Sequence, residues 1–425
     1  MLEVQVIKES RYGSFLPVRA AGWATVLGLV SGVACVGVRS GFRLLQLALV
    51  GHSGLLPEAA AGLSPLRRLS VPIVGAIFAT LVLGAARRWS RSAPFKEYVE
   101  AVRFEDGRIP FASTLWRTLS SAFSVATGAA VGREGSMIQF ATAVTSWVGS
   151  RSGIKTTSLS RQVACGAAAA VAAAYQAPFA GIFFAFEIVL GEWSWADVPD
   201  LALASAAGWA VSRLLLGDGP LFRIQGPLPL SGLLWTVPLA LALGAISPMY
   251  QKLLRSVSFL KRLPAPLVWA GVVVGALSLS QPAVWGNGDI ALSTTLSGKP
   301  PLLGILSLLV FRLAATTACV GTGTVGGVFT PTLFAGAAFG LVGAHLTHLS
   351  HPILLAVVGL SVFLAAVTHA PFMAGLMAVE LTGQWHLLPL LLLLNLLAVQ
   401  VAKRISPQSL YAIATPVPEQ TVAAS

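Results

Sequence analysis

Long apolar runs, broken by glycine, proline and short basic stretches, fill most of this chain. The breaks divide it into apolar segments near residues 20–50, 71–86, 112–131, 135–150, 162–175, 178–191, 199–216, 232–254, 265–279, 302–318, 328–345, 353–368, 371–382 and 384–402. No Lys, Arg, Asp or Glu occurs between Leu313 and Val379, and Leu381 to Ala402 is a second uncharged run. A spanning helix needs roughly 20 apolar residues, so the pattern predicts an all-α polytopic membrane protein. Several segments are too short to cross a bilayer. Short or broken helices are tolerated at membrane depth only where protein or a water-filled cavity covers their exposed backbone groups, which points toward a transport pathway.

The apolar pattern also repeats. 177-APFAGIFFAFE-187 aligns without gaps on 370-APFMAGLMAVE-380 at an offset of 193 positions, and 140-FATA-143 on 334-FAGA-337 at 194. Two halves of similar design follow, expected at residues 20–216 and 217–405, between an N-terminal tail of residues 1–19 and a C-terminal segment of residues 406–425. Duplicated halves of short, Gly/Pro-interrupted helices are how many transporters build a site near the bilayer midplane. The repeat alone does not say whether the second half is inverted.

Composition agrees: 55% of residues are hydrophobic, 10% are charged and the net charge is +12. That excess is not a nucleic-acid signal, because Lys and Arg are spread over short connections, as in proteins whose orientation is set by positive charge on the cytoplasmic side. Lys8, Arg11 and Arg19, then Arg87, Arg88 and Arg91, then Lys403 and Arg404 would all be cytoplasmic, giving an even number of crossings and both termini inside the cell (inner) membrane. The opening MLEVQVIKESRYGS is charged and does not have the form of a cleavable signal. Cys35, Cys165 and Cys319 sit apart in apolar segments and read as packing residues.

Against this background, 132-GREGS-136 places Arg133 and Glu134 between glycines and apolar residues. Gly132 and Gly135 let the backbone approach a ligand closely, and the run after Ser136 can begin a helix whose N-terminal amides and positive dipole face an anion. A carboxylate there would fill the anion's place and open the site on protonation or on swinging away. The plainer reading pairs Glu134 with Arg133 or makes it a helix cap. In 321-GTGTVGGVFTPTLFAGAAFG-340, Gly326 and Gly327 precede Val328 and Phe329, whose amides would form a second positive helix end, with Pro331 suited to a helix start. Gly336 and Gly340 equally fit helix packing through small residues. His345, His348 and His351 lie at helical spacing without a carboxylate or Cys to complete a metal site, so they read as the end of a membrane helix. Asn287 and Asp289 in 286-GNGDI-290 read as a turn or helix cap.

GREGS resembles the GREGP motif of the CLC family of chloride channels and chloride/proton exchangers, and GGVFTPTLFAGAAFG at 326–340 resembles its GGxFxPxLxxGAxxG motif. APFAGIFFAFE and the late run Ser409-Leu410-Tyr411-Ala412-Ile413 resemble two further family segments in the right order, so the likeness runs from about residue 20 to 413. It implies a homodimer whose subunits each carry an anion pathway built from two inverted halves of short, tilted helices. On the same basis Glu134 would gate, the amides of Val328 and Phe329 would bind the anion, and the Tyr411 hydroxyl would coordinate it from the inner side. No cofactor, metal or nucleic acid is implied, and no nucleotide-sensing CBS pair is expected after Tyr411.

Two departures from the family pattern bear on mechanism. The inner anion motif GSGIP should lie near 90-SRSAPFKEYVE-100, where alignment on Pro94 sets its serine on Arg91. Either Ser90 or Ser92 substitutes, Arg91 itself takes part, or inner coordination differs. In exchangers a glutamate on the cytoplasmic side relays protons from the position after the one matched by Glu187; here it is Ile188, which cannot carry a proton. The expectation is passive, glutamate-gated transport of chloride or a similar small anion, with proton antiport through another relay as the alternative. Glu187 and Glu380 read as structural carboxylates bonded to backbone amides. An intramembrane hydrolase would need a nucleophile and base or metal, and no Ser/His/Asp set, HExxH or GxSxG is present.

Overall fold

A computed structural model of the chain describes residues 16–52, 54–89, 93–153, 157–217, 219, 221–297, 300–349 and 351–411. Lys8, Arg11, Ser90, Arg91, Ser92, Ala412 and Ile413 lie outside the described residues. Among those described there are seventeen α-helices and no named strand. They are α1 (Leu16–Val50), α2 (Leu56–Gly62), α3 (Pro65–Trp89), α4 (Tyr98–Phe104), α5 (Phe111–Ala126), α6 (Arg133–Ser152), α7 (Leu159–Tyr175), α8 (Pro178–Phe184), α9 (Val198–Leu216), α10 (Thr236–Ser256), α11 (Pro266–Ser280), α12 (Asp289–Ser297), α13 (Leu302–Thr322), α14 (Phe329–Leu346), α15 (Ile353–Thr368), α16 (Pro371–Thr382) and α17 (Leu388–Ile405).

Each of the fourteen expected apolar segments is a helix, with shifted ends. The segment 112–131 stops at Ala126, because Gly128 takes φ +110° and turns the chain beneath Trp285. Three helices escape the apolar pattern: α2, α4 and α12 are only seven, seven and nine residues long. Among the described residues, six helical stretches are long and apolar enough to cross a membrane. The shorter apolar helices Pro178–Leu190, Ile353–Thr368 and Pro371–Thr382 lie inward instead, and every residue of α15 after Ile353 is buried. α7 is similarly buried from Gln162 to Tyr175, its CGAAAAVAAA run allowing α6, α8 and α9 to approach closely.

The repeat is visible in the backbone itself. Gln176 and His369 both adopt the left-handed conformation, at φ 55° and 59°, and the next residues, Ala177 and Ala370, have φ/ψ of −123°/78° and −122°/78°. A helix starting with proline follows each. α8 runs on through a π-helical turn, Ala185–Leu190, that carries Glu187. The Glu187 carboxylate accepts from the amides of Phe372 and Met373 at 3.2 and 2.7 Å, and the Glu380 carboxylate accepts from those of Phe179 and Ala180 at 3.0 and 2.7 Å. The far end of each helix therefore lies beside the start of the other, so the pair is antiparallel and related by a pseudo-two-fold. With it the halves containing them are inverted. The same exchange supplies the orphan amides at two buried helix starts.

The glycine-rich helix-packing reading of α14 also holds. A Cβ on Gly336 would lie 2.4 Å from the carbonyl oxygen of Gly359, and one on Gly340 would lie 2.0 Å from that of Leu355, so α14 and α15 touch backbone to backbone. The histidine reading needs correction: α14 ends at Leu346, leaving only His345 in its last turn. His348 follows at φ 52°, which leaves the helix, and His345 Nε2 contacts the Pro300 carbonyl oxygen at 3.0 Å. The helical spacing is not realised, and no group of potential metal ligands occurs among the described residues.

Candidate functional site

The two glycine-rich loops meet at the centre. Gly132 N–H donates to the Gly327 carbonyl at 2.6 Å, and Gly327 N–H donates back to Gly132 at 2.7 Å. Only glycine permits this approach. A Cβ on Gly135 would stand 2.7 Å from both the Cα and N of Gly327, and one on Gly326 would stand 2.4 Å from a Val131 methyl. These glycines thus serve first to bring the loops onto one another, a use not anticipated from the sequence. The second half grips the stretch before Gly132 at two more points: Gly286 N–H donates to Gly128 O at 3.1 Å, and Thr316 Oγ1 to Ala130 O at 2.9 Å.

Glu134 follows directly, in the first turn of α6, and is 6% exposed. Its Oε1 accepts from the Asn287 side-chain amide at 2.7 Å, and its Oε2 from Thr330 Oγ1, in the first turn of α14, at 3.3 Å. Arg133 Nε stands 3.5 Å from Oε1 and its other end reaches Asp289 at 3.7 Å. Pairing with Arg133 is therefore present, but the carboxylate does not cap its own helix; it is held from the opposite half. Tyr175 Oη lies 3.3 Å from Thr330 Oγ1 and its ring packs on Phe329 at 5.1 Å between centroids.

Asn287 is aimed by a buried arginine. Arg312, 2% exposed, lies within α13 and donates to the carbonyl oxygens of Ala283 and Gly286 at 2.7 and 3.0 Å. Fully buried cations are tolerated only when such partners are present. The Asn287 side-chain oxygen accepts from Asp289 N–H at 3.3 Å, so 286-GNGDI-290 is a turn, as expected, with the added task of presenting the amide to Glu134.

Below the loops lies a cavity of about 520 Å³. Val328, Phe329, Gly135, Ser136, Gly326, Gly327 and Tyr411 all line it, whereas Gly132, Arg133 and Glu134 do not and stand at the loop junction instead. Ser136 Oγ is committed to Ser121 Oγ at 2.6 Å. Phe329 opens α14, and the first amides of a helix have no intrahelical partner and carry its positive end. Tyr411 is fixed by its neighbour Leu410, whose N–H donates to Val367 O at 3.0 Å. The walls add Arg117, Arg255 and Lys261 against Glu97, a net positive lining suited to drawing in anions.

Tyr98, Tyr175, Asn287, Arg312 and Thr330 were not anticipated at the site. Arg312 left a signal, being the one charge inside the apolar segment 302–318. The others carry none, since neutral hydroxyls and amides are common in any sequence. Ile188 is 2% exposed within the apolar core, and both Glu187 oxygens are taken up by the α16 start.

Comparison with known proteins agrees with this geometry. The profile described as "Voltage gated chloride channel" matches residues 74–403. The voltage-gated ClC-type chloride channel ClcB of Escherichia coli O9:H4 (strain HS) is 35% identical over 410 residues, covering 91% of this chain and 96% of that protein, and ClcB of Shigella flexneri matches to the same extent. Among solved structures, a slow cyanobacterial Cl−/H+ antiporter superposes with a TM-score of 0.80 at 22% identity, over 95% of this chain and 97% of the other. A CLC-type fluoride/proton antiporter gives 0.74 at 22% identity, over 95% and 99%. These neighbours share the fold. With the family profile spanning most of the chain and a third of its residues identical to ClcB, the protein belongs to the voltage-gated chloride channel (CLC) family.

Proposed function

We propose that this protein conducts chloride or a similar small anion passively across the cell (inner) membrane, with the Glu134 carboxylate as the gate. One observation carries the reading: a single buried carboxylate stands where the starts of α6 and α14 meet, and the residues that follow it, Gly135 and Ser136, line a cavity together with Val328, Phe329 and Tyr411. A carboxylate in that position mimics an anion, and an anion entering the site displaces it. The amides of Val328 and Phe329 and the hydroxyl of Tyr411 would then coordinate the anion. Amides and hydroxyls bind weakly enough to release it, as conduction requires.

Passive flow is favoured over proton exchange by the buried, apolar Ile188 and by the commitment of both Glu187 oxygens to backbone amides. The solved neighbours are described as proton antiporters, so exchange through a different relay is the alternative. We further propose residues 20–216 and 217–405 as the two halves, both termini on the cytoplasmic side and a homodimer as the working assembly, each subunit with its own pathway.

The test is chloride efflux from liposomes containing the purified protein, with external pH recorded, for the natural chain and for Glu134→Ala. Chloride movement that never drives protons uphill supports passive conduction. Uphill proton movement in the natural chain, lost in Glu134→Ala, overturns it in favour of exchange. Absence of chloride flux from both sinks the anion assignment.

A further inference from the structure

We infer that Ser136, oriented by Ser121, donates its side-chain hydroxyl to the transported anion, two residues beyond the gating carboxylate. This rests on the anion-transport reading above and adds to its backbone amides a neutral donor on the α6 side of the cavity. Where the motif reads GREGP this position has no hydroxyl, so the donor comes with the serine of GREGS.

Ser136 is 5% exposed, lines the cavity and meets Ser121 Oγ at 2.6 Å. Ser121, on α5, is fully buried, and Ser136 is its side-chain hydrogen-bond partner. A hydroxyl has one proton to donate and can accept as well, so the pair holds two protons and its mutual bond uses one. Either oxygen can be the donor. If Ser136 donated, the Ser121 proton would be left unpaired in a place closed to water, at the full desolvation cost of that group. With Ser121 donating, the free proton is on Ser136, at the cavity wall. The second arrangement is therefore the lower in energy. Ser136 then accepts and donates at once, which polarises its O–H and strengthens the bond it gives.

The other serines and threonines that line the cavity do not offer this. Thr114 and Thr118 donate to the carbonyl oxygens of Pro110 and Thr114 at 2.8 and 3.0 Å. Thr324 meets Thr322 at 3.3 Å, and the Thr322 proton already goes to Ala318 O at 2.9 Å, so Thr324 is the donor of that pair. Ser258 is exposed in the turn after α10. Ser136 is also fixed in place, because Gly135 beside it lies against the Gly327 backbone and so holds the start of α6 against the loop that leads into α14. The ligand class is a small monovalent anion, a halide or nitrate, that accepts from a neutral donor and exchanges freely.

The experiment measures chloride binding by titration calorimetry, thermal unfolding in detergent, and chloride, bromide and nitrate flux in liposomes. The chains compared are the natural one, Ser136→Ala, Ser136→Cys and the double variant Ser121→Ala, Ser136→Ala. Loss of one hydrogen bond to an anion predicts chloride affinity reduced about tenfold in Ser136→Ala. Ser136→Cys, whose S–H is a weak donor, should fall between the two, and it carries the test if Ser136→Ala does not fold. Ser136→Ala also strands the Ser121 proton and should lower Tm. The double variant removes both hydroxyls and should recover Tm while keeping the weakened affinity, since the stranded proton acts on folding and the missing donor on the anion. Natural affinity and anion preference in Ser136→Ala, or in Ser136→Cys should the first not fold, would overturn the donor and leave the pair as packing. Affinity that returns with Tm in the double variant would do the same. A natural chain that neither binds nor moves chloride, bromide or nitrate removes both this inference and the reading beneath it.

Discussion

The Asn287 side-chain amide donates to Glu134 Oε1 at 2.7 Å, so a turn in the second half holds the carboxylate of the first. The bond is buried and its acceptor is a carboxylate, which places it among the stronger hydrogen bonds in proteins.

Under the proposed gating, Asn287→Ala releases the gate. A hydrogen bond to an ionised group contributes about 1.5–3 kcal/mol, so the held position of Glu134 is depopulated about tenfold or more. Liposome chloride flux at neutral pH should rise by several-fold, and flux equal to that of the natural chain would remove Asn287 from the gate.

Arg312→Met should resemble Asn287→Ala in flux. Arg312 fixes the Ala283 and Gly286 carbonyls and hence the turn that aims Asn287. The double variant Arg312→Met, Asn287→Ala should then show little flux change beyond either single one, because the two act on a single contact. Fully additive effects in the same efflux assay would separate them.

Gly135→Ala should damage folding severely. Its methyl would stand 2.7 Å from the Gly327 backbone, which cannot yield without breaking the reciprocal bonds to Gly132. Gly22, inside α1, has open space around its Cβ position. Gly22→Ala should be neutral or stabilising by up to about 1 kcal/mol. Thermal unfolding in detergent should therefore lower Tm for Gly135→Ala, or give no folded protein, while leaving Gly22→Ala at or above the natural value.

Glu187→Ala and Glu380→Ala should each cost about 2 kcal/mol or more, because each leaves two helix-start amides without an acceptor. Gln at either position retains one acceptor oxygen and should recover part of the loss. Denaturation in mixed detergent ranks the four variants. Equal stability of the Ala and natural chains would show that the exchanged carboxylates do not hold the halves together.

The helical architecture was legible from the start, because apolar length is what a bilayer demands. All fourteen apolar segments are helices, and the APF repeat at an offset of 193 positions reappears as matched left-handed turns at Gln176 and His369. Glu134, Val328, Phe329 and Tyr411 could be picked out through glycine motifs and resemblance, and they do come together around one junction and cavity. α4 and α12 could not, since seven and nine residues leave too little apolar periodicity to read.

The sequence by itself determined the solvent, the helices and the twofold repetition, since each depends on local composition or on a pattern repeated along the chain. Only the tertiary structure decided the direction of the second half, through the Glu187 and Glu380 exchange, and the partners of Glu134. Asn287 and Thr330 lie 153 and 196 positions from that carboxylate. A hydrogen bond depends on separations of about 3 Å in space, and nothing in the spacing of single polar residues along a chain encodes that distance.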